Sequence, residues 1–249
     1  MRFQRVVIRV VLLIGLFYSS MIAKDYVLLV GVGEFKSSKL FQPFDISNDI
    51  EKIKKVLIAN KLTKDYQIIE LINSKATKQN ILSTFRDIAN KATLNDRVFF
   101  YYTGHGTAYS DSSIWKYLRK VDRDDRNFLE NTSAIIPYDF DENNIRNSMI
   151  VGSEDFVPIL EIIDKNSSGI IILDACFSSL MARGENFRAS FTGKKERRYN
   201  HLSIISNSNR TSSRSNNSGM TGILSKCLKK KKYKECIKSS KNSDAIYIK

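Results

Sequence analysis

Two residues of this chain pair a nucleophile with an acid–base group in settings that could bring them together. His105 ends an aromatic run in "YYTGHGTAY", and Cys176 ends an aliphatic run in "IIILDACFSS". Glycines on both sides of His105 let the backbone turn sharply and let its amides approach a bound group. A thiol beside an imidazole is the minimal equipment for covalent attack on a carbonyl. An ordinary thiol titrates near about 8.5, and a neighbouring imidazolium lowers that value and enlarges the reactive thiolate fraction. Taken singly, each residue has a plain structural explanation, since a cysteine after a buried strand is usually a small core residue. Placed at two strand ends of one sheet, the pair points to chemistry.

The flanking pattern supplies such a sheet. "YVLLVGV" (26–32) is a continuous apolar, β-branched run of the kind buried on both faces. Ile46, Ile50, Ile53 and Leu57 then recur at helical spacing, with Asp45 or Ser47 as the cap. "YQIIELI" (66–72) reads as a second strand, and Thr77 caps a helix striped by Ile81, Phe85, Ile88 and Ala92. "RVFFYYT" (97–103) is a third strand. After a long polar excursion, Phe156, Ile159, Leu160 and Ile163 mark another helix. "GIIILDA" (169–175) and "HLSIIS" (201–206) read as the fourth and fifth strands, residues 220–228 as helical, and "AIYI" (245–248) as a sixth, edge strand. Strands alternating with helices predict an α/β fold: three layers, with a mostly parallel six-stranded central sheet flanked by helices. In such sheets ligands bind beyond the carboxyl ends of the strands, where His105 and Cys176 fall.

With those motifs in view, the chain resembles the caspase-like cysteine peptidases, nearest their metacaspase and bacterial caspase-like branches. "FFYYTGHG" and "ILDACFSS" match the two catalytic motifs, and Asp174, two before the cysteine, is the metacaspase and paracaspase variant. The likeness extends over most of 24–228, including "YVLLVGVGEF", "SNDIEKIKKVL", "IIPYDF" and "MTGILSKCL". It implies a cysteine-type endopeptidase with Cys176 as nucleophile and His105 as acid–base residue. The backbone N–H groups of Gly106 and Cys176 would form the oxyanion hole that acyl transfer requires. Asp49, in the "SND" segment, and Asp174 would line the pocket for the residue before the scissile bond. Two acids there select Lys or Arg and oppose an acidic substrate side chain. Asp49 has an alternative reading as a helix N-terminal acid favoured by the dipole. Ser179 stands where the family usually has glycine; if that position needs a positive φ, serine costs on the order of 1–2 kcal/mol. No chemistry is assigned to "IIPYDF". Legumain-like relatives share part of this logic, but "DACFSS" fits the caspase side better.

The segment 183–200 is polar, basic and aperiodic, an exposed linker of the kind this family often cuts during maturation. An acidic pocket would accept Lys194, Lys195, Arg197 or Arg198, so self-cleavage is expected within 192–199; the alternative is a solvated basic loop that is never cut. The Ser/Asn-rich loop 206–219 follows the fifth strand and is expected to wall the substrate cleft. Cys227 and Cys236 would stand roughly 13–14 Å apart in one unbroken helix, beyond disulfide reach, and both stay unassigned. No EF-hand-like calcium loop is visible, and neither a metal nor a cofactor is expected.

The 249 residues carry 40 Lys or Arg against 26 Asp or Glu, a net charge of +14. From Ser190 onward lie 15 of the basic residues but only 3 of the acidic ones, so the body is nearly neutral and the last quarter basic. No nucleic-acid partner is therefore expected for the domain as a whole. The Lys-rich tail 229–249 reads as a solvated charge run. Three cysteines are too few for a disulfide scaffold. Residues 1–23 combine Arg2, Arg5 and Arg9 with the apolar run "VVLLIGLF" and small residues before Lys24. This is the pattern of a signal peptide, an uncleaved membrane anchor being the alternative, so the peptidase domain is taken as 24–249 and the protein as exported or membrane-anchored. Two rival functions stay open. One is a catalytically inactive caspase-fold binding or regulatory module. The other is a basic C-terminal quarter that contacts anionic lipid or nucleic acid.

Overall fold

The computed structural model describes residues 23–38, 40–59, 66–111, 115, 124–182, 199–207, 222, 226–227 and 245–248. The apolar runs become the strands β1 (Asp25–Gly31), β2 (Tyr66–Ile72), β3 (Arg97–Thr103), β7 (Ser168–Asp174), β8 (Leu202–Asn207) and β9 (Ala245–Ile248). They form one sheet in the order β2-β1-β3-β7-β8-β9, parallel throughout except for β9, which closes the far edge antiparallel to β8. The six expected strands and their mostly parallel pairing are present, with β1, β7 and β8 shifted by one residue from the sequence reading.

Alternation along the strands builds two cores. Val27, Leu29, Phe99, Tyr101 and Ile172 face helix α1 (Ser47–Ala59), whose Ile50, Ile53, Val56 and Leu57 are buried. Leu28, Val30, Val98, Phe100, Ile171 and Leu173 face the opposite layer, made by α2 (Lys78–Lys91) and α4 (Val157–Asn166). There Phe85, Phe100 and Phe156 pack with ring centroids 4.5–5.3 Å apart, the spacing at which aromatic pairs add to simple burial. The Thr77 hydroxyl caps α2 by accepting the Asn80 amide, while Asp45 accepts the Ser47 amide at the start of α1 (2.8 Å).

At the amino edge of the sheet, the buried Asp96 carboxylate accepts the Lys24 amide and both the amide and hydroxyl of Thr93, each at 2.8 Å. Burial alone would push its pKa up, but these donors outweigh it and hold the carboxyl below its ordinary value.

The polar excursion after β3 contains a second sheet that periodicity does not reveal. Strands β4 (Gly106–Ala108), β5 (Ser133–Ile135) and β6 (Ile150–Val151) pair antiparallel, with the short helix α3 (Ile145–Ser148) before β6. A third apolar cluster, including Phe41, Trp115, Ile136, Phe140 and Met149, packs around it. Cys227 is buried on the α1 side and is disulfide-bonded, its partner lying outside the described residues. No helix among the described residues is long and apolar enough to cross a membrane. The expected N-terminal segment 1–23 (all but its last residue), most of the linker 183–200, the proposed cut sites before Tyr199, the loop beyond residue 207 and most of the tail 229–249 lie outside the described residues.

Candidate active site

The order of the sheet creates a switch point between β1 and β3, since the chain leaves β1 toward β2 on one side and β3 lies on the other. His105 stands just beyond β3 at that crevice, and Cys176 stands just beyond the next strand, β7. Their alignment follows from register. Thr103 pairs with Asp174 across the two parallel strands, and His105 and Cys176 each lie two residues further on. The Gly104 amide reaches the Asp174 carbonyl at 3.4 Å, so the strands stay together past their ends. Gly106 then passes so close to the cysteine turn that a Cβ would lie 2.3 Å from the Cys176 carbonyl oxygen. Only glycine fits there without displacing backbone.

The ladder between β4 and β5 also orients Gly106. The Ile136 amide donates to the His105 carbonyl (3.1 Å), and Gly106 is paired opposite Ile135. Hydrogen-bonded and non-bonded pairs alternate in an antiparallel ladder, so Gly106–Ile135 is a non-bonded pair. Its N–H therefore points away from β5, off the ladder.

His105 is held on several sides. Its Nε2 lies 3.3 Å from the Gln42 carbonyl oxygen, which can only accept. Nε2 is therefore the protonated nitrogen, and Nδ1 is the accepting one of the neutral ring. The imidazole is surrounded by Phe41, Phe44 and Phe35 at centroid distances of 4.9, 5.1 and 5.7 Å. The hydroxyl of the fully buried Tyr102 lies 2.9 Å from both the His105 and the Ile136 carbonyls and can donate to either. Burial pushes the Tyr102 phenol far above its ordinary range. The bond to Ile136 opposes that shift and the nearby Cys176 adds to it, which keeps Tyr102 a proton donor.

Cys176 is half-buried and not in a disulfide. The next residue, Phe177, has φ 57°, and a short turn, Ser178–Leu180, follows. The Ser178 hydroxyl donates back to the Leu173 carbonyl at 2.8 Å, tying the turn to the strand. Ser179 is buried within that turn and is not a left-handed residue. The condition under which serine would strain this position is therefore not met: the left-handed conformation falls on Phe177, two residues earlier.

Asp174 is buried and Asp49 half-buried. Along β7, Ile170, Ile172 and Asp174 alternate onto the face that α1 covers. Asp49 lies in the first turn of α1, and that end of the helix overlies the carboxyl edge, where Ile46 and Ile50 press on Gly31. The two carboxylates therefore belong to one face and one edge. Their strands, β1 before α1 and β7, are two positions apart, roughly 9–10 Å.

Sequence reasoning missed the aromatic surround and the bracing by "IIPYDF". In that segment Ile136 holds His105 and Tyr102, the Tyr138 amide donates to the Ala76 carbonyl and its carbonyl accepts the Lys36 amide, and Asp139 accepts the Lys78 amide. Phe35, Phe41 and Phe44 were visible as aromatics in a polar stretch after the first strand, the one signal available.

The family model described as the metacaspase, peptidase C14 domain matches residues 27–183, more than half of the chain. Metacaspase-1 of Candida albicans is 30% identical over 135 residues, covering 51% of this chain and 28% of that protein. Metacaspase-1 of Eremothecium gossypii is 27% identical over 132 residues, covering 51% of this chain and 26% of that protein. The matches thus span little more than a quarter of either relative. Among solved structures, protein GSU0716 from Geobacter sulfurreducens superposes with a TM-score of 0.54 at 13% identity, covering 90% of this chain and 91% of that one. The Drosophila initiator caspase Dronc gives a TM-score of 0.51 at 7% identity, covering 86% and 70%. Likeness at these identities speaks to the fold alone.

Proposed function

From the premise that the chain belongs to the metacaspase, peptidase C14, family of cysteine peptidases, we propose that it is an endopeptidase working through Cys176 and His105 and cutting after Lys or Arg. The observation that carries this reading is the shared register: His105 and Cys176 each stand two residues beyond a paired position of adjacent parallel strands. In the first step the Cys176 thiol gives its proton to His105 Nδ1, its sulfur forms a bond to the scissile carbonyl carbon, and the carbonyl oxygen takes up the negative charge. The amides of Gly106, turned off its ladder, and of Cys176 would receive that oxyanion. The C–N bond then breaks, with the His105 imidazolium giving its proton to the leaving amine. Water next attacks the thioester, giving a proton to His105; the C–S bond breaks, the acid product leaves, and His105 returns that proton to the sulfur to regenerate the thiol.

Asp49 and Asp174, on one face of the carboxyl edge, would flank a basic side chain placed between them. Since Ser179 carries no left-handed backbone, its replacement of the family's glycine is no argument against activity. The same acidic pocket would accept the basic residues of 192–199, making self-cleavage part of this proposal, and residues 1–23 would deliver the protein to or across a membrane.

A fluorogenic peptide panel varying only the residue before the cut provides the test. Turnover of Arg and Lys peptides, none of an Asp peptide, and loss of both turnover and self-fragmentation in Cys176→Ala are expected. Equal turnover across the panel would remove the Lys/Arg assignment, and a fully active Cys176→Ala would remove the mechanism.

A further inference from the structure

We propose that the loop between β1 and α1, in its described residues 33–38 and 40–44, is a positioning device for the His105 imidazole, with Phe41 its principal positioning residue and Glu142 the staple that holds the loop in place; this rests on the peptidase reading above. The loop closes on itself at its base, where the Phe44 amide donates to the Gly33 carbonyl (2.9 Å). A Cβ on Gly33 would lie 2.2 Å from the Phe44 carbonyl oxygen, so this closure needs glycine. The Gly33 amide is in turn taken by the Asn73 side chain at 2.9 Å. Compact loops with adjoining ends behave as packed units whose side chains fill their own interior.

Three further bonds hold the far side of the loop to the segment that follows β5. The Lys36 amide donates to the Tyr138 carbonyl at 2.9 Å. Glu142 Oε1 accepts both the Ser38 hydroxyl (2.8 Å) and the Leu40 amide (2.9 Å). Leu40 directly precedes Phe41, so Glu142 sets where that ring enters. Phe41 is itself buried against Phe35 and Phe140, at 5.4 Å from each, while presenting its ring to His105 at 4.9 Å.

The loop thus supplies two kinds of restraint. Phe35 and Phe41 lie tilted to the imidazole at 42° and 36°, and Phe44 meets it edge-on at 83°. The rings limit rotation about both side-chain torsions of His105. Gln42, between Phe41 and Phe44, offers the carbonyl that selects the tautomer. An imidazole confined in this way need not lose further rotamer freedom before a proton transfer, which is the advantage of pre-orientation.

The chain holds only two histidines, which makes a direct test available by NMR of the imidazole protons, with His201 as internal reference. In the native protein the His105 ring resonances should be displaced from ordinary histidine values by the three phenyl ring currents. Phe41→Leu should collapse much of that displacement and lower kcat about 10²-fold, with KM changed by less than about twofold. Glu142→Ala lies outside the apolar cores and keeps the test alive if Phe41→Leu fails to fold. It should move the same resonances and lower kcat about tenfold. Resonances and kcat that both stay unchanged in the two variants, alongside a silent Cys176→Ala, overturn the positioning role and leave the peptidase reading standing. His105 resonances that move in Glu142→Ala, yet no turnover of any basic peptide by the native protein, would show that the loop holds the ring while removing the peptidase reading on which its catalytic purpose rests.

Discussion

The arms that carry His105 and Cys176 leave the same edge of one sheet, but they are held in opposite ways. The His105 arm is braced by side chains and by a second sheet: three phenyl rings, the Ile136 amide and the Gln42 carbonyl converge on it from distant parts of the chain, and the neighbouring Tyr102 hydroxyl joins them. The Cys176 arm leans more on its own turn. Among its restraints are the Ser178 bond back to β7 and the left-handed Phe177, with Gly106 of the other arm pressing on its carbonyl. A proton carrier needs one ring orientation, which long-range packing secures. A nucleophile needs a short turn that presents both its sulfur and its own amide, which local backbone geometry secures.

This contrast can be broken or sharpened by substitution. The largest effect is expected where chemistry is removed outright: Cys176→Ala and His105→Ala should each lower kcat/KM by more than about 10³-fold, the first with the melting temperature nearly unchanged, as peptide hydrolysis and thermal unfolding would read. Next comes the contact that joins the two arms. Gly106→Ala must push the Cys176 carbonyl away, and a displacement of about 1 Å should cost about 10²-fold in kcat, with a stability loss of about 1–3 kcal/mol from overpacking. The smallest pair separates the arms. Tyr102→Phe removes the one hydroxyl proton available to the buried Ile136 carbonyl on the histidine side and should cost about 1–3 kcal/mol, whereas Ser178→Ala on the cysteine side should cost only about 0.5–1.5 kcal/mol. Denaturant unfolding of both variants ranks them, and the reverse order would show that the cysteine turn, not the histidine arm, relies on side-chain bracing.

What could be read from the residues divides along the same line. The strands and helices of the large sheet announce themselves as apolar runs of four to seven residues or as helical stripes, and β2, β3 and β9 match their sequence runs end to end. The catalytic candidates were legible because they follow those runs. Strands β4, β5 and β6 have only two or three residues each, too few to display any alternation. The aromatic loop was hidden for another reason: Phe41 and Glu142 are a hundred residues apart, and nothing local in either segment marks the partner. Whether position 179 needs a left-handed backbone could not be read from the family's habit of glycine there; in this chain the turn bends at Phe177.

Because Thr103 and Asp174 sit side by side and each reactive residue lies two steps beyond, the pleated sheet acts as a ruler whose graduation is one residue. Changing a side chain along β3 or β7 leaves that ruler intact. Deleting or inserting a single residue within either strand does not, since a one-step slip turns every later side chain to the opposite face. The gap between sulfur and imidazole is therefore far more exposed to indels than to replacements, and variation in chain length should be confined to the connections beyond these two strands.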